Sequence, residues 1–247
     1  MNKKRIAIIQ ARMGSTRLPG KILKDIKGRS MLWHVVDRVD YSNLIDKIVI
    51  ATTEDKEDDK IENFCKTNNV YFYRGNQEDV LDRYYQTAKN YQADLIIRIT
   101  SDCPLIDPCI IDKAITHYLD NEEKADYVSN TLERTYPRGM DVEVFPFRAL
   151  EIAWQKAKEE YQREHVTPYI YENPDTFNLS CIKNENDLSY LRLTVDEEKD
   201  LELVREIYKK LYQKYNIFYL KDILGLFKKY PELELINKEV KQKNIKQ

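Results

Sequence analysis

The sequence predicts an α/β protein built on a Rossmann-like, mixed and mostly parallel sheet with helices on both faces. Short apolar runs of strand length alternate with segments whose apolar residues recur at helical spacing, the pattern of successive βα units. Polar and glycine-containing stretches follow the ends of those runs, where open α/β sheets hold their ligands.

Arg5 to Gln10 reads as the first strand. Ser30 is a suitable N-cap for "SMLWHVVDRV", which sets Leu32, Val35, Val36 and Val39 on one helical face. "KIVIATTE" is a second strand running into a polar loop, and a helix near Asp58 to Thr67 turns Ile61, Phe64 and Cys65 inward. "VYFYR" is a third strand. "EDVLDRYYQTAKN" is helical, with Val80, Leu81, Tyr84, Tyr85 and Ala88 on its apolar face, and "DLIIRITSDCPLID" is a buried strand opening into a loop. Beyond Pro108 the alternation loosens. A helix to about Tyr118, the strand "YVSN", a turn at Tyr136 to Met140 and the strand "DVEVF" predict a helix and hairpin inserted at the sheet edge, over about 108–146. Pro146 suits the first position of the next helix, and "REHVTPYIYENP" is a short helix broken at Pro168 and stopped before Pro174. "FNLSCI" and "LRLTV" are expected to close the sheet, and the chain from Glu197 onward reads as helical. The Lys-rich tail from about 236 has too little apolar content to pack and is expected to fray. One domain spanning 1–247 is the expectation from length and from the lack of any linker.

Lys and Arg number 40 against 42 Asp and Glu, so no global field draws the chain to nucleic acid or to an anionic membrane, and any anion site is local. No apolar run approaches the roughly 20 residues that span a bilayer. The four cysteines form no C-x-x-C pair, and the N-terminus lacks the apolar segment of a signal peptide, so a reduced, cytoplasmic protein is expected.

The stretch "IIQARMGSTRLPGK" offers such a local site. A strand ending in a cationic turn with Gly and Ser presents backbone N–H groups and positive side chains to a polyanion. It is not a P-loop: five residues separate Gly14 from Gly20, and Ile22 rather than Ser or Thr follows Lys21. Further polar residues stand at the other strand ends: Thr52 and Thr53, Arg74, Asp102 and Asp196. Cations for phosphate with two distant aspartates suit a nucleotide held with Mg²⁺, which keeps few protein ligands. Each aspartate also has a structural reading, Asp102 as the start of a turn and Asp196 as a helix cap. Cys103, beside Asp102, reads as a small buried residue rather than a nucleophile, and His34 as buried scaffold.

Seven blocks in order, "IIQARMGSTRLPGKIL", "ATTE", "RGNQEDVLDRYYQTA", "IIRITSDCPLIDP", "YPRGMDVEVF", "REHVTPYIY" and "LRLTVDEEKDLELV", resemble the cytidylyltransferase family that includes spore-coat polysaccharide biosynthesis proteins. The resemblance extends more distantly to the acylneuraminate and 3-deoxy-manno-octulosonate cytidylyltransferases. It implies a nucleotidyltransferase fold, CTP as donor, Mg²⁺ dependence, pyrophosphate release and a small acidic acceptor, with a homodimer as an open expectation. Carried over, the triphosphate loop falls on Ala11, Arg12, Gly14, Ser15, Arg17 and Lys21, with Thr52 nearby, and the metal ligands on Asp102 and Asp196. Arg74 matches the position presenting an arginine to the base. Arg138, where many relatives carry an acidic or small residue, joins Asp141 and His165 as candidates for the acceptor. Asp102 with Arg12, Arg17 and Lys21 would form the catalytic group. A glycosyltransferase consuming a nucleotide sugar and an inactive nucleotide-binding module are the alternative classes.

Overall fold

A computed structural model describes residues 3–121, 124–213 and 216–243. Strand β1 (Arg5–Gln10) runs through the middle of the sheet, with Ala7 and Ile9 buried in one layer and Ile6 and Ile8 in the other, as a strand covered on both faces requires. After it come a two-residue ribbon, β2 (Asp25–Ile26) with β3 (Arg29–Ser30), and helix α1 (Met31–Asp40), where Ser30 Oγ accepts from Trp33 N at 3.2 Å as the expected cap. Then follow β4 (Lys47–Thr53), α2 (Asp59–Thr67), β5 (Tyr71–Gly75), α3 (Val80–Tyr91) and β6 (Leu95–Thr100). Strands β5, β4, β1 and β6 lie side by side in that order, all parallel.

The second half departs from that regularity. Helix α4 (Pro108–Asp120) leads to β7 (Tyr127–Ser129) and β8 (Glu143–Pro146); then come α5 (Phe147–Lys156), α6 (Glu160–His165), α7 (Pro168–Tyr171) and β9 (Leu179–Cys181). The hairpin is not an appendage on the edge. Strand β8 pairs antiparallel with the central β6, β7 pairs with β8, and β9 joins β7 in parallel to end the sheet. Pro146 caps α5 from outside rather than opening it. "LRLTV" forms no strand: two hydrogen bonds about Arg138, from Arg138 N to Leu191 O at 3.0 Å and from Leu193 N to Arg138 O at 2.7 Å, make only an isolated bridge. The approach is close because Gly139, at φ 97°, has no side chain; a Cβ there would stand 2.5 Å from Thr194 N.

Helices α8 (Glu198–Leu211) and α9 (Leu220–Lys229) complete one layer with α1 and α4, while α3, α5 and α7 cover the opposite face. Of the tail expected to fray from about 236, residues 244–247 lie outside the described residues, and 238–243 are mostly exposed and outside any helix or strand. Asn237 is buried, and its amide donates to Arg192 O at 3.0 Å and to Asp200 Oδ1 at 2.8 Å, so polar bonds hold what apolar content could not.

Candidate active site

The chain leaves the sheet just after Ala11, whose N–H still bonds Ala51 O at 3.1 Å. The following loop closes on one carbonyl, with Ser15 N and Gly20 N both donating to Met13 O at 2.9 and 3.1 Å, and Gly20 turns the chain at φ 65°. Its root is pinned by Met13 N donating to Asp58 Oδ1 at 2.7 Å; Asp58 in turn accepts from Thr53 Oγ1. Thr53 therefore serves the loop. Thr52, expected at the nucleotide, is wholly buried and does not line the cleft.

Above the loop lies a cleft of about 310 Å³ that gathers Arg12, Gly14, Ser15, Arg17 and Lys21 with Asp102 and Asp196. Lys21 Nζ donates to Asp196 Oδ1 at 3.0 Å, Asp102 Oδ2 at 3.3 Å and Val195 O at 2.7 Å. Arg17 Nη2 stands 2.9 Å from Asp196 Oδ2, and Arg192 Nη2 donates to the same oxygen at 2.8 Å. Burial opposes the charge on Lys21, but Asp102 and Asp196 outweigh it and raise the pKa. Burial likewise pushes Asp196 up, and Lys21, Arg192 and Arg17 bring it below the ordinary carboxylate range. Lys21, expected on the leaving group, thus sits between the aspartates, while Arg12 spans the cleft toward Glu164 at 3.9 Å. Asp196 is not the helix cap: Glu197 and Asp200 form the capping box of α8.

Two carboxylates converging on one cation are hard oxygen donors that fit Mg²⁺. Among the described residues no group of three or more acidic, His or Cys side chains could hold a metal, so phosphate and water would supply the remaining ligands. Cys103 is buried beside Asp102, and burial raises its thiol well above the usual range, which denies it a nucleophilic thiolate.

Arg74, expected at the base, does not line the cleft. Its guanidinium donates to Thr53 O and Asp55 O, both at 2.8 Å, and to the carboxylates of Asp59 and Glu62 at 2.7 and 2.5 Å, so it clamps β5 to α2. Besides Arg12 and Arg17 of the loop, the cleft is lined by Arg83, on the inward face of α3. It is 1% exposed, its guanidinium makes one hydrogen bond among the described residues, to Asn76 O at 2.7 Å, and it has no ion pair among them. Burial lowers its pKa to about 10, with Arg12 adding to the effect. Its place in the apolar periodicity of "VLDRYYQTA" was the available signal: a cation falls on a face otherwise occupied by Val80, Leu81 and Tyr84.

A second cavity of about 550 Å³ adjoins the first, lined by Arg98, Arg134, Arg138, Asp141, Glu143 and His165. Asp141 accepts both forks of Arg134 at 2.6 and 2.8 Å, while Arg138 has no ion pair among the described residues and has its pKa lowered by burial and then by Arg134. His165 lines both cavities. Arg163 anchors its helix to Asp79 of the preceding loop, Nε to Oδ1 at 3.0 Å. Val166 then takes φ 73° and ψ −55°, a γ-turn closed by Thr167 N donating to His165 O at 2.9 Å. That conformation is strained for a β-branched residue, and it turns the chain beside His165 where the cavities meet.

A mostly parallel sheet with a cationic loop on its first strand, and two carboxylates facing that loop across the cleft, is an architecture suited to a nucleotidyltransferase. The cytidylyltransferase family model matches residues 6–245, and the chain belongs to that family; it is an enzyme of CTP-dependent cytidylyl transfer. An uncharacterised protein of Methanocaldococcus jannaschii is 42% identical over 244 residues, 98% of both chains. The spore coat polysaccharide biosynthesis protein SpsF of Bacillus subtilis is 34% identical over 210 residues, 82% of this chain and 85% of its own. The solved structure of a cytidylyltransferase from Leptospira borgpetersenii superposes with a TM-score of 0.90 at 36% identity, covering 98% of this chain and all of that one. No helix among the described residues is long and apolar enough to cross a membrane.

Proposed function

We propose that the enzyme joins CMP from CTP to an acidic sugar or a phosphorylated small molecule, releasing pyrophosphate, in the building of a surface polysaccharide by a cytoplasmic enzyme. The observation that carries the reading is the pair of adjoining cavities, one holding the cationic loop and the other Arg98, Arg134 and Arg138, with His165 common to both. The polysaccharide context is supported by the Bacillus relative, a spore coat polysaccharide biosynthesis protein.

In this reading the triphosphate lies along the loop, where Arg12, Arg17 and the N–H groups near Gly14 and Ser15 neutralise the pyrophosphate as it leaves. Arg83 supplies a buried donor fork to the nucleotide, and the desolvation of its charge is offset once an anion or a base acceptor edge faces it. Arg138 receives the acceptor's carboxylate or phosphate, which brings an acceptor oxygen in line with the α-phosphorus. Mg²⁺, held by Asp102 and Asp196, would supply charge stabilisation at the phosphate oxygens. Lys21 fixes the two aspartates relative to each other.

The test is pyrophosphate release from CTP and Mg²⁺ with a panel of sugar acids, sugar phosphates and neutral sugars. Turnover confined to the anionic members is the expected result; equal turnover of neutral sugars would overturn the acceptor assignment.

A further inference from the structure

A polar chain beneath the two cavities is buried at Glu143 and Tyr127 and partly buried at Arg98 and Gln10. Arg98 of β6 stands opposite Glu143 of β8 in the ladder and donates to Glu143 Oε1, while Tyr127 of β7 donates its hydroxyl to Glu143 Oε2 at 2.6 Å. At its other fork Arg98 Nη2 donates to Gln10 Oε1 at 3.2 Å. Replacing such a buried ion pair by packed apolar residues is often neutral or stabilising, so stability gives little reason for this one. Its geometric effect is definite. A guanidinium only donates, so the carbonyl end of the Gln10 amide faces Arg98 and the NH₂ end faces away from it.

Gln10 is the last residue of β1, in register with Thr100 and two residues ahead of Arg12. It lines the nucleotide cleft, whereas Arg98 and Glu143 line the acceptor cavity. The α-phosphorus has to lie where these spaces meet, because it is the atom that passes from one occupant to the other. The geometry points to Gln10 as a catalytic residue whose amide N–H donates to a non-bridging oxygen of the α-phosphoryl group, with Arg98 as the positioning residue that aims it. The inference rests on the two-cavity reading above. During transfer the bond from the acceptor oxygen to phosphorus forms, the bond to pyrophosphate breaks, and the proton of an acceptor hydroxyl passes to water or to the departing pyrophosphate. Gln10 gives up no proton, and its hydrogen bond strengthens as negative charge gathers on the phosphoryl oxygens.

The test uses the full chain and Gln10→Ala, a substitution at a half-exposed site, with melting temperatures alongside. By calorimetry without any acceptor, the affinity for CMP should fall about fivefold while that for cytidine stays unchanged. With the acceptor identified by the panel, kcat should fall about 10- to 100-fold at an unchanged acceptor KM. The two α-phosphorothioate diastereomers of CTP, which wild type should use at different rates, should become more nearly equal. Arg98→Lys should lower kcat part of the way, and combining it with Gln10→Ala should add nothing. Equal losses for CMP and cytidine, an unchanged kcat, or an effect confined to acceptor KM would each overturn the assignment. Wild-type inactivity with every anionic acceptor would sink the acceptor reading instead, and the CMP against cytidine comparison would still decide the role of Gln10.

Discussion

The nucleotide cleft and the acceptor cavity share His165 but are assembled on opposite plans. The cleft collects loops that follow parallel strands, and most of its cations are already compensated: Lys21 lies between Asp102 and Asp196, and Arg17 lies against Asp196. The cavity rests on the antiparallel β6, β8 and β7, where Arg98 is matched by Glu143 and Arg134 by Asp141. Each space contains one guanidinium with no carboxylate partner among the described residues, Arg83 in the first and Arg138 in the second. Arg83 is buried and Arg138 partly so, and a cation taken from water without a partner is costly until an anionic ligand arrives. In the proposed reading Lys21, Arg98 and Arg134, each held by a carboxylate, shape the site, while Arg83 and Arg138 are left to meet substrate.

Four substitutions would break or sharpen that contrast. The largest effect is expected at Asp196, on which three cations converge: Asp196→Asn keeps the shape but removes the charge, so turnover should fall about 100-fold or more and the Mg²⁺ dependence should weaken. Retained activity at normal Mg²⁺ dependence would demote it to a structural anchor. Next, Arg83→Met fills similar space without charge, and CTP affinity measured by calorimetry should drop about 10- to 100-fold while the melting temperature holds or rises. A fall in melting temperature with unchanged CTP affinity would return Arg83 to the scaffold. In the other cavity, Arg138→Lys keeps the charge and loses the fork, so the acceptor KM should rise about 10-fold with that for CTP unmoved. A shift in CTP alone would place Arg138 on the nucleotide side. The smallest effect is expected at Lys243, an exposed tail residue at the cleft rim: Lys243→Ala should raise the KM for CTP about two- to threefold and lose that effect at high salt. An effect that salt does not alter would rule out a screened phosphate contact.

The scaffold under the first cleft was more legible in the sequence than that under the second cavity, although Arg138, Asp141 and His165 do line the latter. Alternating burial and 3.6-residue periodicity are local properties, so Arg5–Gln10, the Ser30 cap and the parallel strands through Thr100 follow from short windows. The cationic loop is also local, since its residues lie within ten positions of one another. The hairpin misled because its strands are short and pair with β6, so neighbouring residues do not reveal that it continues the sheet.

The sequence by itself therefore determined the βα succession and the cationic loop, and it displayed the aspartates at Asp102 and Asp196 that the fold brings to that loop. Tertiary structure alone decided which charge meets which. Arg74 stands at a strand end like a ligand-binding residue, yet Asp59 and Glu62 of the neighbouring α2 capture it. Arg83 lies mid-helix like a solvated cation, yet its face turns toward the cleft, and Lys21 meets Asp196 across 175 positions of chain. A side chain's periodicity fixes its face, but the energy of its charge depends on distance and burial among groups far apart in sequence, and only the folded chain sets those.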